Sequence, residues 1–247
     1  MKTVGRTAAL VNGAGTAVGR ALAGLLLDEG HRLCVTDPDA LALRTTLRTA
    51  DRRRVVALVG APDDVDHQHD AVEQTLGAFG RIDVLINVVG AGTQPSVAGW
   101  IRKVDLAWTG ERGGTAITVF QPPLTRDGAW PVPTVVRLSR VTARLQDELG
   151  PRTRLISILA PPALLTAAGQ RGPVTAQRSP VMPLRSPATV VELVGYLLSR
   201  RASGLAGRTL LAQRAGVPWS CVDAPLPAAH SPARALSAVG SQWKEAR

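Results

Sequence analysis

The chain has 247 residues, of which 45% are hydrophobic, and its formal net charge is +10. This length and apolar content predict a single domain with one sizeable core, and no apolar stretch approaches the roughly 18 residues that span a membrane. Only three of the 29 cationic residues are lysine, and aromatic residues make up 3% of the chain. Scattered arginine with few aromatic residues argues against a nucleic-acid surface, so nucleic acid is not the expected partner.

The two cysteines, Cys34 and Cys221, are far apart in the sequence. They indicate neither a disulfide framework nor a metal site. We expect no secretory leader, because removing the apolar start would also remove the first predicted strand. These features favour a reduced, cytoplasmic protein with no bound metal and no membrane contact.

The first half of the chain alternates short apolar runs with amphipathic stretches. Strands are predicted at residues 7–12, 33–36, 55–59 and 82–87, with helices at 18–29, 41–49 and 65–79 between them. Alternation of this kind with apolar strands predicts parallel pairing and right-handed crossovers. The fold class is therefore α/β, a Rossmann-like doubly wound parallel sheet.

The second half continues the pattern less regularly. An apolar helical stripe runs from Val97 to Trp108, and it is followed by a strand at 115–120, a helix at 134–149, a strand at 154–159, a helix at 188–200 and a strand at 208–212. Tyr196 is expected to pack on the core face of the last helix. Residues 1–216 form the predicted domain, and residues 217–247, rich in Ala, Pro and Ser, form a C-terminal extension.

A glycine motif, Asn12-Gly13-Ala14-Gly15-Thr16-Ala17-Val18-Gly19, joins the first strand to the first helix. Glycines there permit a tight turn and let the backbone approach a pyrophosphate, which binds at the helix N-terminus. Asp37 follows at the end of the second strand. Its carboxylate can accept hydrogen bonds from the ribose hydroxyls and would repel a 2′-phosphate, which favours NAD over NADP.

These residues resemble the short-chain dehydrogenase/reductase family from Thr7 to about Gly216. The glycine motif stands where the family has Thr-Gly-x-x-x-Gly-x-Gly, and residues 87–90 (NVVG) stand where it has Asn-Asn-Ala-Gly. Asp63 or Asp64 matches the family's adenine-contacting acid. The resemblance implies an NAD site formed by Gly13, Gly15, Thr16, Val18, Gly19, Asp37, Asp63, Asn87 and Gly90.

The family's catalytic residues are not found at the matching positions. Its Tyr-x-x-x-Lys pair cannot form, because the only tyrosine is Tyr196 and residue 200 is arginine. The resemblance aligns Pro131 with the tyrosine, Val135 with the lysine, Gln121 or a neighbouring proline with the serine, and Ala107 with the asparagine. Residues 91–131 are also shorter than in the family by roughly twenty residues, close to 30 Å of helix. In the family that helix helps to form the oligomer interface.

Three hypotheses are consistent with this mixture of retained and missing motifs. The first is a degenerate family member, a pseudoenzyme that binds NAD(H) or a small ligand and acts as a non-catalytic subunit or sensor, in a homo- or hetero-oligomer. The second is an atypical NAD-dependent oxidoreductase, or a lyase, isomerase or cyclase, with Asp127 or Glu111 as the proton carrier. The third is an arginine-rich regulator that contacts nucleic acid. The four histidines show no partner arrangement in the sequence, and Thr134 is expected to cap its helix.

Overall fold

One sheet of eight strands organises the computed structural model, which describes residues 7–90, 94–108, 113–121, 131–160, 190–211 and 220–222. The strand order is β3-β2-β1-β4-β5-β6-β7-β8. Strands β1 to β7 pair in parallel, and β8 joins β7 antiparallel. The strands are β1 (Ala8–Asn12), β2 (Arg32–Asp37), β3 (Val55–Val59), β4 (Val84–Val89), β5 (Gly114–Phe120), β6 (Thr153–Leu159), β7 (Arg208–Leu211) and β8 (Ser220–Val222).

Helices cover both faces of the sheet, each over its own apolar cluster. The helices are α1 (Ala17–Asp28), α2 (Ala40–Thr46), α3 (Val65–Phe79), α4 (Gln94–Ala107), α5 (Val132–Leu149) and α6 (Val190–Leu198), and a 3-10 helix spans Arg200–Leu205. Side chains of α1, α2 and α6 enter one cluster, and side chains of α3, α4 and α5 enter the other. The expected doubly wound parallel sheet in a single domain is confirmed. None of the described helices is long and apolar enough to cross a membrane.

Strand β1 is an interior strand, third from the β3 edge of the sheet, and all five of its residues are buried. It pairs with β2 on one edge and β4 on the other, and helices cover both of its faces. No part of β1 therefore faces water. This explains the continuous apolar run in the sequence, which is typical of parallel strands covered by helices on both faces. The glycine loop therefore starts from a fully buried interior strand of the sheet.

Several element boundaries differ from the sequence prediction by one to three residues, and two of these differences have a clear cause in the structure. Strand β4 was expected at residues 82–87 and lies at Val84–Val89, because its pairing with β5 continues to Val89 opposite Phe120. Helix α5 begins at Val132 and contains Pro133 in its first turn, where a missing amide costs nothing. Thr134 consequently lies inside the first turn, so the expectation that it caps the helix was wrong.

The C-terminal segment contributes one strand that the sequence did not predict. Residues 220–222 pair antiparallel with β7, from Thr209 opposite Val222 to Leu211 opposite Ser220. Three residues of the segment assigned to the extension therefore belong to the sheet. The rest of the proposed extension, residues 217–219 and 223–247, lies outside the described residues.

The crossover from β4 to β5 contains one described helix, α4, of 14 residues. Shortly after that helix, Trp108 is 8% exposed and packs against the start of β5. A Cβ atom on Gly114 would collide with the Trp108 ring, so the indole occupies the space that a side chain would take there. The ring thus closes one end of this short crossover against the sheet.

Candidate functional site

The loop after β1 is a tight glycine turn held to both neighbouring strands. Gly13 has a φ of 79°, and a Cβ atom at this position would lie 2.5 Å from the carbonyl oxygen of Val88 on β4. The amides of Gly13 and Ala14 both donate to the carbonyl oxygen of Thr36 on β2, at 2.9 and 3.1 Å. A side chain at residue 13 would suffer both backbone strain and a clash, so glycine is required there.

Thr16 begins helix α1 by capping it. Its hydroxyl accepts from the Gly19 amide at 3.0 Å and donates to the Gly13 carbonyl at 2.8 Å. A Cβ atom on Gly19 would collide with that same carbonyl, so the third glycine allows the helix to pack closely on the turn. The helix provides no acceptor for the amides of Ala17 and Val18 in its first turn, and these amides can bind an anion.

Val18 is 2% exposed and its side chain belongs to the core. Only its backbone could contact a cofactor. Ala17, in contrast, is exposed at the first residue of the helix.

The carboxylate of Asp37 lies directly against the glycine loop. Its Oδ2 atom accepts from the Gly15 amide at 2.8 Å, and its Oδ1 atom accepts from the Asp39 amide at 3.0 Å. A Cβ atom on Gly15 would be 2.6 Å from the Asp37 Cγ atom and 2.7 Å from the Ala42 Cβ atom. The second glycine of the motif therefore makes room for the acid at the end of β2, which is a relationship that the motif itself does not reveal.

Asp37 is 7% exposed in this arrangement. Each carboxylate oxygen can accept two hydrogen bonds, so Asp37 keeps capacity for further donors. Ribose hydroxyls are donors of the right kind.

One cation lies beside the loop. The Nη2 atom of Arg20 donates to the Gly15 carbonyl at 3.3 Å, and the side chain is exposed. Together with the positive end of the helix dipole, this guanidinium favours an anion near the first turn of α1. A pyrophosphate on the α1 amides and a ribose at Asp37 both fit the residues present.

A buried polar cluster lies under the loop, at the ends of β1 and β2 and within β4. Thr36 donates to the Asn12 Oδ1 atom at 3.1 Å, and the Asn12 Nδ2 atom donates to the Asn87 Oδ1 atom at 3.4 Å. The three side chains are 0 to 4% exposed. Asn12, where the family has threonine, thus cross-links three adjacent strands, and no sequence motif signalled this.

Asn87 is therefore an interior residue of β4. Its side chain is fully buried, and its Nδ2 atom has no hydrogen-bond partner among the described residues. Gly90, just after the strand, is exposed. The cofactor roles of Asn87 and Gly90 remain predictions.

The two acids after β3 are both exposed but differ in role. Asp64 caps helix α3, accepting from the amides of Asp66 at 2.9 Å and His67 at 3.4 Å. Asp63 is not the capping residue, so its carboxylate is the one not committed to starting the helix. Its proposed contact with adenine also remains a prediction.

The positions that the resemblance assigns to catalysis hold no ionisable side chain. Pro131 precedes the first turn of α5, and Val135 is 7% exposed within the core. Gln121 follows β5, and its amide donates to the Val89 carbonyl at 3.1 Å. Ala107 is the last residue of α4. None of these side chains can accept and return a proton at neutral pH.

The alternative proton carriers, Asp127 and Glu111, lie outside the described residues. Tyr196 is half-buried on α6 and packs against the core cluster under α1 and α6, as expected. The described structure therefore gives the Tyr196 phenol a packing role in the core and not a position at the carboxyl ends of the strands.

Three of the four histidines have side-chain neighbours in the structure, and His230 lies outside the described residues. His69 Nε2 lies 3.1 Å from Glu73 Oε1, one helical turn along α3. His31 contacts both Thr7 and Glu29. His67 is 8% exposed and meets the Trp100 ring edge-on, with the ring centroids 6.0 Å apart. Burial lowers the pKa of His67 below its ordinary value, although Asp64 and Asp70 oppose the shift. Among the described residues, no group of three or more His, Cys, Asp or Glu could hold a metal ion.

Comparison with known proteins agrees with this geometry. The family model described as short chain dehydrogenase matches residues 7–107. An uncharacterized oxidoreductase of Mycobacterium tuberculosis (strain CDC 1551 / Oshkosh) is 28% identical over 256 residues, covering 89% of this chain and 95% of the relative.

Solved structures with the same fold include two enzymes that are complexed with NADH. A 7α-hydroxysteroid dehydrogenase complexed with NADH and 7-oxo glycochenodeoxycholic acid has a TM-score of 0.66 at 18% identity, covering 85% of this chain and 94% of that one. The 3-ketoacyl-(acyl-carrier-protein) reductase from Brucella melitensis, complexed with NADH, has a TM-score of 0.63 at 19% identity, covering 83% and 96%. At these identities the likeness establishes the fold.

A parallel sheet in this order, with a glycine turn leading from β1 into a capped α1, is a Rossmann-like dinucleotide-binding fold. Residues 7–107 of the chain match the short-chain dehydrogenase family model, and the described fold is that of the two solved structures above.

Proposed function

We propose that this protein binds NAD(H) and does not carry out the tyrosine- and lysine-dependent redox chemistry of its family. The observation that carries the binding half is the Asp37 carboxylate, which lies 2.8 Å from the Gly15 amide. This places an acceptor for ribose hydroxyls beside the turn that would hold the pyrophosphate. The residues that would hold the cofactor are those of the loop, the α1 amides and Asp37.

The preference for NAD over NADP rests on the charge of Asp37. A 2′-phosphate at the adenosine ribose would stand against this carboxylate, whereas a hydroxyl would donate to it. Two of the solved relatives were crystallised with NADH. Arg20 is the nearby cation, but it is directed to the Gly15 carbonyl.

The non-catalytic half of the proposal rests on Val135 and Pro131. A bound nicotinamide supplies hydride chemistry, but protonating an alkoxide needs a tuned acid beside it. Val135 is 7% exposed among apolar neighbours, at the position that the resemblance gives to lysine. A charged side chain there would be buried without a partner, so the apolar core and the missing chemistry are linked.

We infer a role as a cofactor-sensing or non-catalytic subunit, partnered with a second copy or with a related subunit. The shortened crossover at residues 91–131 supports an assembly different from that of the family. The cytoplasmic location is part of the same proposal, and it rests on the cysteine usage. Cys34 is a free, buried thiol, and burial raises its pKa to about 11, so it is chemically quiet.

The experiment that tests this function combines binding and turnover on one sample. NADH is first titrated calorimetrically, and the same protein is then incubated with NADH and a panel of ketones and aldehydes while NADH absorbance is followed. The proposal expects saturable binding and no consumption of NADH. Steady consumption would instead favour the atypical oxidoreductase, and an absence of binding would reject the cofactor site.

A further inference from the structure

A cavity of about 160 Å³ lies between α4 and α5, over β5 and β6. In the strand order, β4 separates β5 from β1, where the glycine loop begins. The cavity is on the face covered by α3, α4 and α5, and its strand residues come from β5 (Thr118, Phe120) and β6 (Leu155, Ser157), none from β1 or β2. It is therefore separate from the candidate cofactor site, and a ligand bound in it would be independent of the proposed function.

Most of the wall is apolar. Val97 and Ile101 come from α4, and Leu138 and Leu145 come from α5. A dry apolar cavity of about 150 Å³ is large enough to hold benzene. The space thus suits one six-membered ring rather than an extended chain.

The floor carries two hydroxyl groups on adjacent strands. Thr118 and Ser157 are register partners of β5 and β6, whose backbones run about 4.8 Å apart, and both line the cavity. Thr118 is fully buried, and its Oγ1 atom has no hydrogen-bond partner among the described residues. A buried hydroxyl in that state costs stability unless something in the cavity binds it.

The protons on these hydroxyls can be assigned. Thr142 donates to the Leu138 carbonyl at 2.8 Å, which uses its only proton. Ser157, 2.7 Å from the Thr142 hydroxyl, must therefore be the donor in that pair. Ser157 then has only lone pairs left for a ligand, whereas Thr118 still has its O–H. The floor offers one donor and one acceptor.

We propose that this cavity binds a small phenolic ring, with its hydroxyl accepting from Thr118 and donating to Ser157. A hydroxyl is the group that satisfies both partners with one atom, whereas a ketone or ether satisfies only Thr118. Arg137 is exposed and belongs to the cavity lining, so its guanidinium can contact the face of an aromatic ring.

The test titrates the full-length protein with phenol and, in parallel, with fluorobenzene, which has the same number of heavy atoms and no O–H. Binding is followed by methyl NMR shifts of Val97, Ile101 and Leu145. We expect phenol to shift these methyl groups and to bind at least about fivefold more tightly than fluorobenzene, the value of one neutral hydrogen bond.

Three variants test the hydroxyl contact and its location. Thr118→Val should remove the preference for phenol. Thr209→Val is the matched control, because Thr209 is equally buried on the same sheet face but does not line the cavity, and it should leave the preference unchanged. Ala98→Leu, which fills the cavity from α4, should abolish binding and gives a second check if Thr118→Val does not fold.

Three results would overturn the proposal. One is a set of cavity methyl groups that do not shift up to millimolar phenol. Another is equal binding of phenol and fluorobenzene. The third is a phenol preference that survives both Thr118→Val and Ala98→Leu.

Discussion

The Oδ2 atom of Asp37 accepts a hydrogen bond from the Gly15 amide at 2.8 Å, which joins the end of β2 to the glycine loop. The contact is possible because residue 15 has no Cβ atom, since one would lie 2.6 Å from the Asp37 Cγ atom. A glycine and an acid 22 residues apart thus form one structural unit. The unit holds a carboxylate with remaining acceptor capacity beside the glycine loop.

Gly15→Ala should destabilise the protein by about 1–3 kcal/mol, because the methyl group overpacks the space taken by Asp37 and Ala42. Gly24→Ala is the matched control within α1. Nothing lies within 4 Å of a Cβ atom on Gly24, so this change should stabilise by up to about 1 kcal/mol through helix propensity. Urea unfolding measures both, and equal effects of the two changes would contradict the packing argument.

Asp37→Ser should narrow the preference for NADH over NADPH. We expect the unmodified protein to bind NADH at least about tenfold more tightly, since repulsion of the 2′-phosphate need reach only about 1.4 kcal/mol for that ratio. Removing the charge should bring the two affinities within about threefold.

Asp39→Ser is the control for this change. Asp39 caps α2 by accepting from the amides of Leu41 and Ala42, a role that serine can also fill. The Asp39→Ser change removes a charge two residues away from Asp37, and we expect it to leave the ratio of NADH affinity to NADPH affinity unchanged. A ratio that changes equally in both variants would show a general charge effect and not a contact of Asp37.

The alternation of strands and helices was predictable because buried parallel strands are apolar throughout and the helices show one apolar face. Boundaries were less predictable where pairing decides them. Strand β4 runs to Val89 because β5 continues to pair with it, and this is a property of two segments together. Strand β8 has only three residues in a Pro- and Ala-rich segment, and its partner β7 determines it.

The sequence was sufficient to predict which residues form the candidate site. It was not sufficient to predict which of these residues contact one another. The glycine turn has a local cause in Gly13 and Gly19. The contact of Gly15 with Asp37, and the cluster of Asn12, Thr36 and Asn87, depend on strand register across β1, β2 and β4. Long-range register does not appear in the spacing of residues along one chain.

Two buried threonines on the same sheet face should respond differently to loss of their hydroxyl groups. Thr36→Val removes the donor to Asn12, and we expect it to cost about 1 kcal/mol or more. The Thr209 hydroxyl has no partner among the described residues, so Thr209→Val should be neutral or stabilising. Chemical unfolding of both variants tests this, and a large loss for Thr209→Val would indicate a partner for that hydroxyl.

Stability should fall as the pH decreases below about 6.5, the ordinary pKa of histidine, partly because of His67. Burial lowers the pKa of His67 in the folded state, so the unfolded chain binds this proton first and is favoured at acidic pH. His67→Phe keeps a ring against Trp100 and should flatten that part of the pH profile. His69→Gln removes an exposed histidine of the same helix and should leave the acid-side loss of stability unchanged. If His67→Phe does not alter the pH dependence of the free energy of unfolding, His67 is excluded as the source of that loss.

The central claim is a working NAD(H) site, and calorimetric titration of NADH into the unmodified protein and Asp37→Ala tests it most directly. The account predicts micromolar binding that weakens by roughly tenfold or more in the variant, as expected for loss of charge-assisted hydrogen bonds of about 1.5–3 kcal/mol. No heat of binding up to millimolar NADH, or equal affinity of the two proteins, would contradict it.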